Sequence, residues 1–309
     1  MHVAQYGKSL FTTNTVTMAL SVTKLKQAVL CVVRAIYDTI AHDGVEHAGY
    51  LAFLLMFTIF PFLVFFVAIV GAIGDKQLAN TLVSLILESS WATFIDALIP
   101  RILEITSSPP QSLLTLAIIS AIWTASSLFE GIRTALNKAY RVRVAPGYLL
   151  RRLFSFIEFA GMVTIVVLLL LVLVVLPSIW NYLYDLLSLG QKQYIGAVNV
   201  VSLMTSVAQT IRYLVLIVFG FIFVAGLYYF LPNRKQKLLY TLPGSLIVLS
   251  GWIISSVVFK VYLQLFHSIS IIYGSIAGII IALLYFYICS LIFIFGAELN
   301  YQIEELSAK

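Results

Sequence analysis

The stretch IIYGSIAGIIIALLYFYICSLIFIFG, residues 271–296, decides the fold. It carries no charged side chain from end to end, and a helix needs only about 20 predominantly apolar residues to cross a hydrocarbon core of about 30 Å. Ala297-Glu298-Leu299-Asn300 follows at once. Hydrocarbon solvates charge poorly, so an acid at the end of a spanning helix has two readings. Glu298 is either a functional group turned toward a cavity or a marker of where the membrane stops.

Outward from this stretch, five more have the same character: roughly residues 50–73, 112–129, 153–176, 210–231 and 242–266. The 309-residue chain is 61% hydrophobic and 10% charged, with a mean hydropathy of +1.02. A soluble domain is nearer half apolar and a quarter charged. The sequence therefore predicts an all-α polytopic membrane protein, a six-transmembrane-helix bundle forming a single membrane domain over residues 1–309. The second span is the shortest and carries Ser120, Thr124, Ser126 and Ser127, which places it among the other helices. The first residues are polar and Thr/Ser-rich, so the first span is expected to act as its own insertion signal.

Residues 1–21 read as a flexible cytoplasmic tail. Over 22–42 the apolar positions Val22, Leu25, Val29, Val32, Val33, Ile36 and Ile40 recur at helical spacing, with Lys24, Gln27, Arg34 and Asp38 largely off that face. The pattern predicts an N-terminal amphipathic helix, on the membrane surface or packed under the bundle. The segments 75–111 and 178–209 are too long for bare loops and predict helical caps on the outer face. Pro61, inside the first span, removes an amide donor and predicts a kink, either for packing or as a hinge. In the last span, Gly274 and Gly278 are four apart, a spacing that lets helix backbones approach closely.

The net charge of +6 is distributed by loop. Lys8, Lys24, Lys26 and Arg34 precede the first span. Arg133, Lys138, Arg141, Arg143, Arg151 and Arg152 lie between the second and third, and Arg234, Lys235 and Lys237 between the fourth and fifth. The alternate loops are poor in base. This is the positive-inside pattern. It predicts a multi-pass protein of the cell membrane with both termini cytoplasmic, and it accounts for the basic balance without a nucleic-acid partner.

Ionisable groups at membrane depth mark candidate sites. Glu130, Arg133, Glu158, Glu298 and Asn300 form a candidate polar pocket for a headgroup or a coupling proton, against the alternative that they pair to fix helix register. Arg141, Arg143, Arg151 and Arg152 form a candidate lipid-headgroup site, since basic residues at a cytoplasmic interface attract anionic lipids. They serve otherwise as topology determinants. Membrane lipids are thus the expected partners. No enzyme is expected. Of the histidines His2, His42, His47 and His267, only His42 and His47 cluster, just before the first span. No metal site, Walker loop, nucleophile elbow or Cys-x-x-Cys pair is read, and no cofactor is expected. Cys31 and Cys289 face no oxidising compartment and predict no disulfide.

Four motifs together carry a resemblance. They are Ala48-Gly49-Tyr50-Leu51-Ala52-Phe53 leading to Phe60-Pro61, and Trp123-Thr124-Ala125-Ser126 through Ala135-Leu136-Asn137-Lys138-Ala139-Tyr140. The others are Leu231-Pro232-Asn233 with Leu242-Pro243-Gly244, and Tyr273-Gly274-Ser275 through Gly296-Ala297-Glu298-Leu299-Asn300. Their order and spacing over roughly Arg34 to Tyr301 resemble the YihY/BrkB family of bacterial inner-membrane proteins. One departure is Tyr285-Phe286-Tyr287, where members often have Trp near the first position. The resemblance implies a six-helix inner-membrane fold with cytoplasmic termini and a link to envelope integrity and serum resistance. Some members are suspected of lipid-related transport, and an older label for the family is tRNA-processing ribonuclease. The expected function is support of envelope integrity by transport of a lipid or other amphipathic substrate. The alternative is a non-transporting membrane scaffold, and the ribonuclease is the least expected.

Overall fold

The last apolar stretch forms one continuous helix, Ser275–Ala308, which runs through Gly296, Glu298 and Asn300. Glu298 therefore lies well inside a helix. In the computed structural model, the described residues are 26, 27, 29–72, 111–142, 147, 149–165, 169, 197–265 and 275–308. All regular structure among them is helical. In chain order, α1 covers 29–41, α2 Gly44–Ala72, α3 Gln111–Ala139, α4 149–165, α5 Ala197–Phe230, α6 Leu242–Leu265 and α7 Ser275–Ala308. A short 3-10 turn, Leu238–Tyr240, leads into α6. The expected tail, nearly all of the first outer cap, residues 178–196 of the second, Arg143, Gly274 and most of the second half of the third span lie outside the described residues, while residues 197–209 of the second predicted cap form the first turns of α5 and continue into the fourth span.

Among the described residues, three helices are long and apolar enough to cross a membrane, over Tyr213–Phe230, Leu238–Tyr262 and Gly278–Ser307, and Gly44–Ile59 adds a shorter apolar stretch. The chain is a membrane protein with several candidate spans. α3 extends ten residues past the predicted 112–129, to Ala139. The added turns contain no Gly after Gly131 and no Pro, and their polar side chains find partners, so nothing stops the helix earlier. Pro61 lies inside α2, which is helical on both sides of it.

α7 is the hub, packing against α2, α3 and α6, while α2 also packs on α3 and α5 on α6. The main core joins Phe129, Leu136 and Tyr140 to Val224, Tyr228, Val248, Phe293 and Ala297. Tyr228 donates to the Phe293 carbonyl at 2.5 Å, and Trp252 Nε1 donates to the Cys289 carbonyl at 3.0 Å. Such bonds between helices add about 0.6–2 kcal/mol each in a membrane. The tightest approach is between α6 and α7. A Cβ on Gly244 would run into the Gly296 carbonyl and Asn300. The sequence placed this role at Gly274 and Gly278. Gly274 lies outside the described residues and Gly278 has open space around it; among the described residues the close approach falls at Gly244 and Gly296.

α1 turns Cys31, Ala35 and Thr39 inward, and Cys31 and Ala35 pack with Leu299 of α7. Its outer face is apolar, with Val29, Val33, Ile36, Tyr37 and Ile40 exposed. The helix is packed on the bundle with an apolar side exposed among the described residues.

Candidate functional site

The α3 carboxy terminus sets the geometry of the polar end. Val142 N–H donates to the Asn137 carbonyl at 2.8 Å and Arg141 N–H to that of Lys138 at 3.1 Å. This is a Schellman ending, in which the left-handed position is ordinarily glycine. Here Arg141 takes it, with φ 57°. A left-handed non-glycine residue costs roughly 1–2 kcal/mol, and the return is placement of a guanidinium between two acids. Arg141 Nη1 lies 2.9 Å from Glu298 Oε2, and Nη2 lies 3.0 Å from Asp38 Oδ2. Its guanidinium also sits 4.6 Å over the Tyr301 ring. Gln302, one helical turn after Glu298, donates to Asp38 at 2.5 Å. Glu298 is 1% exposed. Its Oε2 is within ion-pair distance of Arg141 yet forms no well-aligned hydrogen bond. The short distance is the better guide, because charge attraction needs proximity more than alignment.

A second cluster centres on Arg133, also 1% exposed. Its Nη1 lies 3.0 Å from Glu130, 2.8 Å from the Arg151 carbonyl and 2.9 Å from Ser155 Oγ, and its Nη2 pairs with Glu158. Arg151 reaches Glu130 at 3.2 Å. Two guanidinium groups thus face two carboxylates, and the cluster ties α3 to the start of α4.

Asn300 belongs to a third group. Its Oδ1 accepts the Gly244 N–H at 2.7 Å, and its Nδ2 donates to the Thr241 carbonyl at 3.2 Å. The first turn of a helix leaves N–H groups without intrahelical partners, and Asn300 of α7 supplies one to α6. Nearby, Arg234 pairs with Glu304 and lies 4.8 Å over the Tyr140 ring. Burial pushes its guanidinium below the usual value. Lys138 pairs with Asp43 at the surface, and that hydrogen bond holds the Asp43 carboxyl below the usual carboxylate value.

The five candidate pocket residues are therefore divided. Glu130, Arg133 and Glu158 come together, Glu298 meets Arg141, and Asn300 caps α6. The candidate headgroup arginines divide as well. Arg141 and Arg151 are committed to carboxylates, while Arg152 stacks 4.5 Å over Trp123. Sequence reasoning missed Asp38, Gln302, Ser155, Arg234 and Glu304 as partners. The available signal was spacing, since Asp38 and His42 are four apart, as are Glu298 and Gln302.

Asp38, His42 and Glu298 each offer a ligand atom within 4.8 Å of the others. The donor set suits a divalent cation, but the Arg141 guanidinium already lies between the two carboxylates and does the work of a cation there.

Below this polar end lies an apolar cavity of about 150 Å³. Its walls come from Leu51 on α2, Phe129 on α3, Met162 on α4, Phe223 on α5, Trp252 on α6 and Phe293 on α7, among others.

The family model for the virulence factor BrkB matches residues 35–309. The chain belongs to the BrkB family. Among its relatives is the Bacillus subtilis (strain 168) protein named as the ribonuclease-like YfkH, 31% identical over 261 residues, covering 84% of this chain and 90% of the relative. Another is the UPF0761 membrane protein VV0203 of Vibrio vulnificus (strain YJ016), 26% identical over 281 residues, covering 90% of this chain and 84% of the relative. No solved structure matches the chain. The clusters described above lie within the region that matches the BrkB model.

Proposed function

We propose that this BrkB-family protein is a six-span inner-membrane protein with cytoplasmic termini, and that it supports envelope integrity by passing a lipid or other amphipathic molecule through the bundle. The observation that carries this reading is the apolar cavity to which α2, α3, α4, α5, α6 and α7 each contribute a wall. A structural bundle gains stability by filling such a space, because interiors pack to crystal-like density. A cavity kept apolar at the meeting point of the helices favours an apolar guest. The buried ion pairs at one end add a polar layer for a headgroup to pass.

The role is proposed as non-enzymatic. Metal-assisted cleavage of RNA needs an open cation position, and in the Asp38–His42–Glu298 group Arg141 occupies the space between the acids.

The test is movement of labelled phospholipid between leaflets of proteoliposomes, with Leu128→Trp as the cavity-filling variant, since Leu128 lines the cavity. Wild-type protein is expected to move lipid several-fold faster than protein-free vesicles, and the folded Leu128→Trp variant to fall back toward the protein-free rate. Absence of lipid movement by wild type, with full rescue of an envelope-stress phenotype by Leu128→Trp, would establish the scaffold instead.

A further inference from the structure

The arginines inside or beside the bundle divide by partner. Arg133, Arg141, Arg151 and Arg234 each face at least one carboxylate. Arg152 does not. Its Nη1 donates to Ser127 Oγ at 3.1 Å and its Nη2 to the Trp123 carbonyl at 3.2 Å, both neutral acceptors. Its Nε has no partner among the described residues. The guanidinium lies 4.5 Å over the Trp123 ring and 5.5 Å from that of Phe156. Two aromatic faces and two neutral oxygens fix the group in place and leave its charge uncompensated among the described residues.

The surroundings of Arg152 are apolar. An open groove of about 590 Å³ runs past it, lined by Gly147, Leu149, Leu150, Leu153 and Phe156. Leu149 is 83% exposed and Trp123 61% exposed. Leu153 and Ile157 continue the exposed apolar surface along α4. A held positive charge at the head of an apolar groove is complementary to an anion that carries a hydrocarbon chain.

We propose that Arg152, laid on the face of Trp123 at the start of α4, binds the phosphate of an anionic glycerophospholipid whose acyl chain lies along Leu149, Leu153 and Phe156. The planar guanidinium suits phosphate because its N–H groups diverge as a fork that matches two phosphate oxygens. An anionic headgroup is favoured over a zwitterionic one because the nearby carboxylate, Glu130, is held by Arg133 and Arg151 and is not available to an ammonium group. A free inorganic anion would use the charge and leave the groove empty. The site deepens the lipid-handling reading above by naming the class of lipid, and it stands on the geometry of α3 and α4, apart from the central cavity.

The experiment uses full-length protein in nanodiscs of phosphatidylethanolamine containing a minor fraction of phosphatidylglycerol, with retained lipid measured by native mass spectrometry. Wild type is expected to retain phosphatidylglycerol in preference to phosphatidylethanolamine. Arg152→Gln is expected to lower that retention at least about tenfold, the loss of one charge-assisted contact. Trp123→Ala is expected to lower it less, and Arg152→Lys, which keeps the charge but not the fork, to fall between wild type and Arg152→Gln. Lys237→Gln, at an exposed base outside the groove, is expected to match wild type.

Equal retention of the two lipids by wild type would overturn the proposal, as would wild-type retention by Arg152→Gln. Should Arg152→Gln fail to fold, wild-type retention by both Trp123→Ala and Arg152→Lys does the same. Inorganic phosphate displacing the signal in wild type, with no difference between the lipids, would reveal a simple anion site and also overturn it. Phosphatidylglycerol selectivity without lipid movement in vesicles removes the transport reading and leaves this site standing. Lipid movement without selectivity does the reverse.

Discussion

Buried charge is where single residues of this protein carry the most energy. Arg133 is 1% exposed and joins Glu130, Glu158, Ser155 and the Arg151 carbonyl. Removing one partner of a buried pair costs about 3–5 kcal/mol, because the acids left behind have lost both water and counter-charge. Arg133→Met is expected to lose stability in that range, measured as a fall in thermal unfolding midpoint in detergent. Glu298 makes a different prediction, because its partner is Arg141. Glu298→Gln is expected to destabilise the protein, and Arg141→Gln in the same chain to recover part of the loss, with a coupling of about 0.5–3 kcal/mol in a double-mutant cycle. A cycle between Glu298 and Arg133 is expected to be additive. Coupling of Glu298 to Arg133 instead of Arg141 would contradict the separation of the two clusters. The sequence exposed Glu298 as an unusual acid but could not reveal its partner. That partner depends on Arg141 adopting a left-handed backbone that local preference disfavours.

At the scale of elements, hydropathy located the three long apolar helices over Tyr213–Phe230, Leu238–Tyr262 and Gly278–Ser307, because a 20-residue apolar window is a strong signal. It misplaced ends and contacts. α3 and α7 run on into polar sequence, since their charged turns are satisfied by partners from other segments, which hydropathy does not register. The small-residue motif at Gly274 and Gly278 matched a common spacing, yet the close contact lies at Gly244 and Gly296, which are far apart in sequence. This yields a paired prediction. At Gly244 a Cβ would meet the backbone of α7, which cannot move cheaply, so Gly244→Ala is expected to destabilise by about 1–3 kcal/mol. Gly278→Ala adds a methyl to open space and removes a helix glycine, so it is expected to be neutral or stabilising by up to about 1 kcal/mol. Thermal unfolding of the two variants beside wild type decides the matter, and equal effects would remove the α6–α7 contact as an organising feature.

For the whole molecule, the ion pairs constrain which segments share a side of the membrane. Arg141, just after α3, bonds to Asp38 of α1 and to Glu298 of α7. Arg234, between α5 and α6, pairs with Glu304 of α7. Lys138 pairs with Asp43 in the turn before α2. The segment before α2, the α3–α4 and α5–α6 connections and the end of α7 therefore meet at one end of the bundle, whichever way the protein is inserted. These are the segments whose base-rich loops predict a cytoplasmic position. The ion pairs group them at one end without saying which side that end faces, so the cytoplasmic orientation stays part of the proposal. A periplasm-active reporter fused after Lys309 or near Ala145 is expected to be silent, and one fused near Thr106 or Gly190 to be active. A mixed result, with Lys309 and Ala145 on opposite sides, would break the polar layer itself. A uniform inversion would spare the layer and overturn only the orientation, because the same ion pairs would then gather at the outer face.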